Sequence, residues 1–139
     1  ALSSAASDVY KRQAYCCFNS NARDFARFGQ LLLNNGQWDD RQLISPAYLA
    51  EATSPDTRLV YKDLGKPNHC YGFQYWILDY KGMKIPYMRG ILGQYVFTLP
   101  EKNAVIVRLG HKRSDTYTAD QHYPDDINTW LDAAMDLLQ

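Results

Sequence analysis

The sequence predicts an α+β fold, an antiparallel sheet flanked by helices. Three features carry that expectation. Two helix-like segments precede the sheet region and one follows it, while strand-like segments lie between them at 71–80 and at about 93–99 and 103–109. The connection Pro100-Glu101-Lys102-Asn103 is short enough to demand an antiparallel hairpin.

Residues 1–13 (ALSSAASDVYKRQ) are small and polar, with no apolar period and no continuous apolar core of a secretory signal. They read as a non-native or disordered tail, of the kind that adapter-derived sequence leaves at the end of a metagenomic gene fragment. The folded part is expected to occupy residues 14–139.

Residues 21–34 form the first predicted helix. Asn21 caps it, Asp24 sits near its positive end, and Phe25, Phe28 and Leu32 share a face with Leu31 beside them. Asn34-Asn35-Gly36 ends it, because Asn and Gly tolerate left-handed backbone. A turn at Trp38–Asp40 follows. Ser45 as cap and Pro46 at the first position then open a second helix, which runs to about Thr53. Residues 56–69 read as irregular.

Residues 71–80 alternate as a strand, with Tyr71, Phe73, Tyr75 and Ile77 opposite Gln74, Trp76 and Leu78. Lys81-Gly82 is a turn. Two further strands are expected at about 93–99 and 103–109, and residues 110–124 form a polar loop. The segment from Asp125 or Asp126 to Gln139 is amphipathic, with Ile127, Trp130, Leu131, Ala134 and Leu138 in one stripe. Three strands make a small core for eleven Tyr, five Phe and three Trp. More strands are therefore expected than these three segments supply, and an open strand edge would favour association.

Composition narrows the function. Fifteen basic side chains balance fifteen acidic ones, so no broad electrostatic grip on nucleic acid is expected. No apolar run approaches the roughly 20 residues of a membrane helix. Cys16, Cys17 and Cys70 match no zinc spacing and read as buried or half-buried thiols. His69, His111 and His122 are scattered and read as surface side chains. Asp39-Asp40 reads as a turn, and Asp125-Asp126 as a helix cap. No metal or cofactor motif is present. Ser-x-x-Lys, Tyr-x-Asn, Gly-x-Ser-x-Gly and His-Glu-x-x-His are all absent from the 139 residues, so no catalytic residue is assigned in this chain.

One segment stands out, Tyr87-Met-Arg-Gly-Ile-Leu-Gly-Gln-Tyr95. Glycine in a strand lets a backbone or ligand approach, and an adjacent Arg can hold a carboxylate with two prongs. A bulge at a sheet edge, with Arg89 reaching solvent, explains the same residues.

The stretch from Asn21 to Gly36 resembles the helix after the second active-site motif of class C beta-lactamase-related serine hydrolases, a group that includes penicillin-binding proteins. Leu43-Ile-Ser-Pro46 resembles the helix start that follows there, and Tyr71-Gly-Phe-Gln-Tyr-Trp76 resembles their Tyr-Gly-aromatic-x-Trp strand. Gly90-Ile-Leu-Gly-Gln-Tyr95, Pro100-Glu101 and Val105–Leu109 resemble the strand pair that bears the third motif. The resemblance runs in order from about residue 14 to residue 139.

It implies a beta-lactamase/transpeptidase-like sheet with helices, here an incomplete C-terminal portion. It also implies acyl transfer on a beta-lactam, peptide, ester or amide through an acyl-enzyme, with no cofactor. The intact protein would take a small-molecule or peptide substrate and would be periplasmic or otherwise exported. The chain departs from the pattern in two ways: it lacks the nucleophile and base motifs, and its third motif maps to Met88-Arg89-Gly90, with Met where Lys or His is expected. Arg89, Gly90, Gly93, Gln94 and Tyr95 are then the expected substrate-binding residues, the backbone near Gly93–Gln94 is the candidate oxyanion donor, and the chain alone is expected to be inactive. The alternative is a non-catalytic peptide- or glycan-binding α+β domain.

Overall fold

The computed structural model describes residues 19–61, 65–118 and 122–138. The expected tail, 1–13, and the thiols of Cys16 and Cys17 lie outside the described residues. The order is α1 (Ala22–Leu33), β1 (Gln37–Trp38), β2 (Arg41–Gln42), α2 (Pro46–Ala52), β3 (Val60–Tyr61), β4 (Lys66–Pro67), β5 (Trp76–Tyr80), β6 (Met83–Arg89), β7 (Gln94–Leu99), β8 (Ala104–Leu109) and α3 (Asp126–Leu137). Strands β1–β2 and β3–β4 are two-residue hairpins; the second lies in the stretch expected to be irregular.

The main sheet is an antiparallel meander of four strands, in the order β5-β6-β7-β8. The sequence predicts three strands, and β6 is the one it hides. Pro86 and Lys84 interrupt its outward face, while Ile85 and Tyr87 point into the core. Pro86 is tolerated opposite Ile77, whose N–H turns outward to the Cys70 carbonyl at 2.8 Å, and pairing with β7 begins only at Tyr87. The expected strand from residue 71 is also shortened to Trp76–Tyr80. Gln74 adopts a φ of 64°, and residues 71–76 fold into a loop closed by Gly72 N–H to the Tyr75 carbonyl at 2.8 Å.

The helix starts follow the local signals. Asn21 Oδ1 accepts from the Arg23 and Asp24 N–H groups at 3.0 and 3.1 Å, and Ser45 Oγ accepts from Tyr48 N–H at 3.2 Å. Lys81 and Gly82 both have positive φ, the two-residue turn that suits the twist of a hairpin.

One face of the sheet forms the core with α3: Leu78, Tyr80, Ile85, Tyr87, Tyr95, Phe97 and Leu99 meet Tyr123, Ile127 and Leu131. Helix α1 covers β7 and β8 on the other face. Gly29 is buried at the contact and Phe25, Leu31 and Leu32 are half-buried, whereas Phe28 of the expected stripe remains 45% exposed. A Cβ at Gly29 would lie 2.5 Å from Val105 Cγ1, so the missing side chain sets the approach of helix to strand. In α3, Ile127 and Leu131 carry the burial, while Trp130 and Leu138 of the expected stripe stay exposed. Asp125 makes no side-chain cap; Asp126 instead ties the helix to the sheet.

Burial pushes the Tyr95 hydroxyl up to about 12, helped by the Asp126 carboxylate beside it. An unfolded tyrosine ionises near pH ~10. Between these values the folded state binds the extra proton, so stability is complete below pH ~10 and falls as pH rises toward about 12. The urea midpoint is expected to drop across that window while remaining flat from pH 7 to 9. A midpoint that stays flat as the pH rises to about 12 would show that Tyr95 ionises without cost.

Candidate functional site

The site begins where β6 turns into β7. Gly90 N–H donates to the Gln94 carbonyl at 2.7 Å, Gly93 N–H reaches the Gly90 carbonyl at 3.4 Å, and Gly93 has a φ of 82°. This is a three-residue loop closed by a bulge whose left-handed position requires glycine. The Gln94 side chain braces it from within: Nε2 donates to the Gly110 carbonyl at 2.9 Å, and Oε1 accepts from Leu92 N–H at 3.1 Å. At the tip, Ile91 is 79% exposed.

Beside the turn lies an open groove of about 230 Å³, lined by Trp76, Arg89, Gly90, Ile91, Arg113 and Tyr117. The Arg89 guanidinium lies 3.4 Å from the centre of the Trp76 ring, and its Nη1 donates to the His122 carbonyl at 2.8 Å. Arg113 Nε donates to the Ile91 carbonyl at 2.9 Å, and its guanidinium sits 5.0 Å from the Tyr117 ring. Tyr71 meets Trp76 edge-on at 4.7 Å, and His122 stacks near the same indole. No acidic side chain lines this groove among the described residues. The Arg89 charge also opposes the rise that burial imposes on the Cys70 thiol and the Tyr71 hydroxyl.

The five expected substrate-binding residues thus separate into two groups. Arg89 and Gly90 line the groove, and Gly93 and Gln94 build the turn beside it. Tyr95 does not face the groove: it is fully buried, packs against Phe97 and donates its hydroxyl to Asp126 Oδ1 at 3.3 Å. Tyr95 shares a face of the sheet with its cross-strand partner Arg89, but there α3 covers it and Asp126 takes its hydroxyl, which removes it from the groove. Arg89 is gripped by aromatic rings rather than reaching freely into solvent. His122 is half-buried beside Trp76 rather than solvated, whereas His69 and His111 are exposed as expected.

Trp76, Arg113 and Tyr117 were not legible as site residues, because separate segments of the chain deliver them. Cys70 is a buried free thiol. No group of three or more His, Cys, Asp or Glu that could hold a metal occurs among the described residues. Among them, no helix is long and apolar enough to cross a membrane.

No protein-family model and no curated protein matches the chain. Among solved structures, it is similar to a Bacillus anthracis protein described as a 6-aminohexanoate-dimer hydrolase, with a TM-score of 0.61 and 25% identity. The match covers 86% of this chain but 29% of that one. The fold is beta-lactamase-like. In this beta-lactamase-like arrangement, the chain spans under a third of its neighbour's length and supplies the sheet with its covering helices.

Proposed function

We propose that the chain is the C-terminal part of a serine hydrolase related to the beta-lactamases, and that the Gly90–Gln94 turn with the Arg89 groove forms one wall of its active site. The observation that supports this reading most strongly is the structural likeness to a hydrolase over 86% of the chain, at 25% identity. The reaction is acyl transfer through an acyl-enzyme. A serine and its base come from sequence outside this chain, since no Ser-x-x-Lys occurs in it. The backbone around Gly93–Gln94 is the candidate donor to the oxyanion, and Arg89 and Gly90 border the space for the acyl donor. A linear amide of the kind named for the neighbour fits this chemistry as well as a beta-lactam does, because Met88 stands where the related enzymes carry Lys or His.

The chain by itself is expected to hydrolyse nitrocefin, p-nitrophenyl acetate and a 6-aminohexanoate amide no faster than buffer. Joined to the upstream coding sequence of its gene, it should acquire turnover that vanishes when the serine of an upstream Ser-x-x-Lys is replaced by alanine. Turnover by the isolated chain would overturn the reading. An upstream sequence without Ser-x-x-Lys would also do so, and would leave the binding-domain alternative.

A further inference from the structure

Arg108 stands outside the groove, yet its guanidinium runs straight to the turn. Its Nη1 donates to the Gly93 carbonyl, and its Nη2 donates to the Lys112 carbonyl at 3.0 Å. To get there it passes between two glycines: a Cβ at Gly93 would lie 2.2 Å from Nη1, and one at Gly110 would lie 2.3 Å from it. The guanidinium faces the Trp130 ring at 4.6 Å and the Tyr95 ring at 5.6 Å. Both rings are anchored in turn, since Tyr95 Oη and Trp130 Nε1 donate to the two oxygens of Asp126 at 3.3 and 3.2 Å.

A trans peptide is planar, so fixing a carbonyl fixes the following N–H in the opposite direction. With the Gly93 oxygen drawn toward Arg108, the Gln94 N–H is turned away from that guanidinium. The Gln94 carbonyl accepts from Gly90 N–H, and Gly90 lines the groove.

We propose that Arg108 is a positioning residue that orients the Gly93–Gln94 peptide, so that its N–H is presented to the oxyanion of the reacting acyl group. The proposal rests on the hydrolase reading above. Arg108 touches no substrate; it acts through the backbone, from the far side of the turn. Its two-pronged, planar donor set reaches each carbonyl from a separate nitrogen, a fork that the ammonium of lysine lacks. The clamp also accounts for the pairing of Gly93 with Gly110, which the strand pattern alone leaves unexplained.

The test has two arms. In the isolated chain, R108K and R108Q should shift the Gln94 and Gly93 amide resonances and speed exchange at Gln94 by about tenfold or more, while α1 amides exchange as before. Should R108Q fail to fold, R108K is the deciding variant, because it keeps the charge and the aliphatic stem. Unchanged amides in a folded variant would overturn the proposal.

In the upstream-extended protein, R108K should lower kcat by about a hundredfold with KM nearly unmoved, the scale of losing one oxyanion donor. An extended wild-type protein without turnover would overturn the hydrolase reading and this one with it. Turnover that R108K leaves intact would overturn the positioning role alone.

Discussion

Replacing Phe97 by alanine is expected to lower the unfolding free energy by about 3–5 kcal/mol, the cost of deleting a large ring from a closed core. Phe97 is fully buried at the centre of β7, with Tyr87 stacked 5.3 Å away on one side and Tyr95 at 5.5 Å on the other. It pairs with Tyr87 across β6 and with Ile106 across β8, so it touches the sheet from both directions. Its neighbours are strand side chains held by cross-strand pairing, and they cannot collapse far into the space left behind. Domains of this size have about 5–15 kcal/mol to lose, so the variant would be marginal at room temperature.

The comparison is Phe28→Ala. That ring is 45% exposed on α1, and its loss should cost about 1 kcal/mol or less. Urea unfolding of both variants, followed by tyrosine and tryptophan fluorescence, measures the contrast. Equal midpoints would mean that the ring stack is not the core of this sheet.

That contrast also bears on how much structure could be read from the residues. Helix ends and tight turns were legible because their causes are local. Asn21, Ser45-Pro46 and Lys81-Gly82 act on backbone groups within four residues of themselves. Strands β7 and β8 were legible because each is largely apolar and the short connection Pro100-Glu101-Lys102-Asn103 joins them as a hairpin. Strand β6 was not, since Lys84 and Pro86 mask an inward pair, Ile85 and Tyr87, that only the neighbouring strands make meaningful.

The choice of Gly29 over Phe28 as the buried face of α1 was hidden for a similar reason. It depends on Val105, which lies far along the chain. In the site, Gly90 and Gly93 could be singled out because glycine in a strand signals close approach, and Gln94 because of the resemblance. The cations that fix the turn, Arg108 and Arg113, sit in a strand and a polar loop where nothing local distinguishes them.

The second large effect is expected at Gly72, and it connects the helical part to the groove. A Cβ there would lie 2.2 Å from the Ala52 carbonyl oxygen and 2.6 Å from that of Ser54. Both obstacles are backbone, at the end of a helix whose Ala52 is fully buried, so neither can swing aside as a side chain would. The Ala52 carbonyl also accepts from Phe73 N–H at 2.9 Å. Gly72→Ala must therefore push the strand entry off the helix end and break that bond.

Overpacking of about 1–3 kcal/mol and a lost buried acceptor of similar size add up to a fall in Tm of about 10 °C or more. Gly82→Ala makes the control: nothing lies within 4 Å of its Cβ, so only its positive φ of 86° is strained, at a cost of about 1 kcal/mol. The displaced loop runs directly into Trp76, the ring beneath Arg89. Gly72→Ala should therefore change the tryptophan emission of the folded protein, whereas Gly82→Ala should not. If Gly72→Ala melts with the wild type, the close contact of helix and loop is not what holds the groove in place.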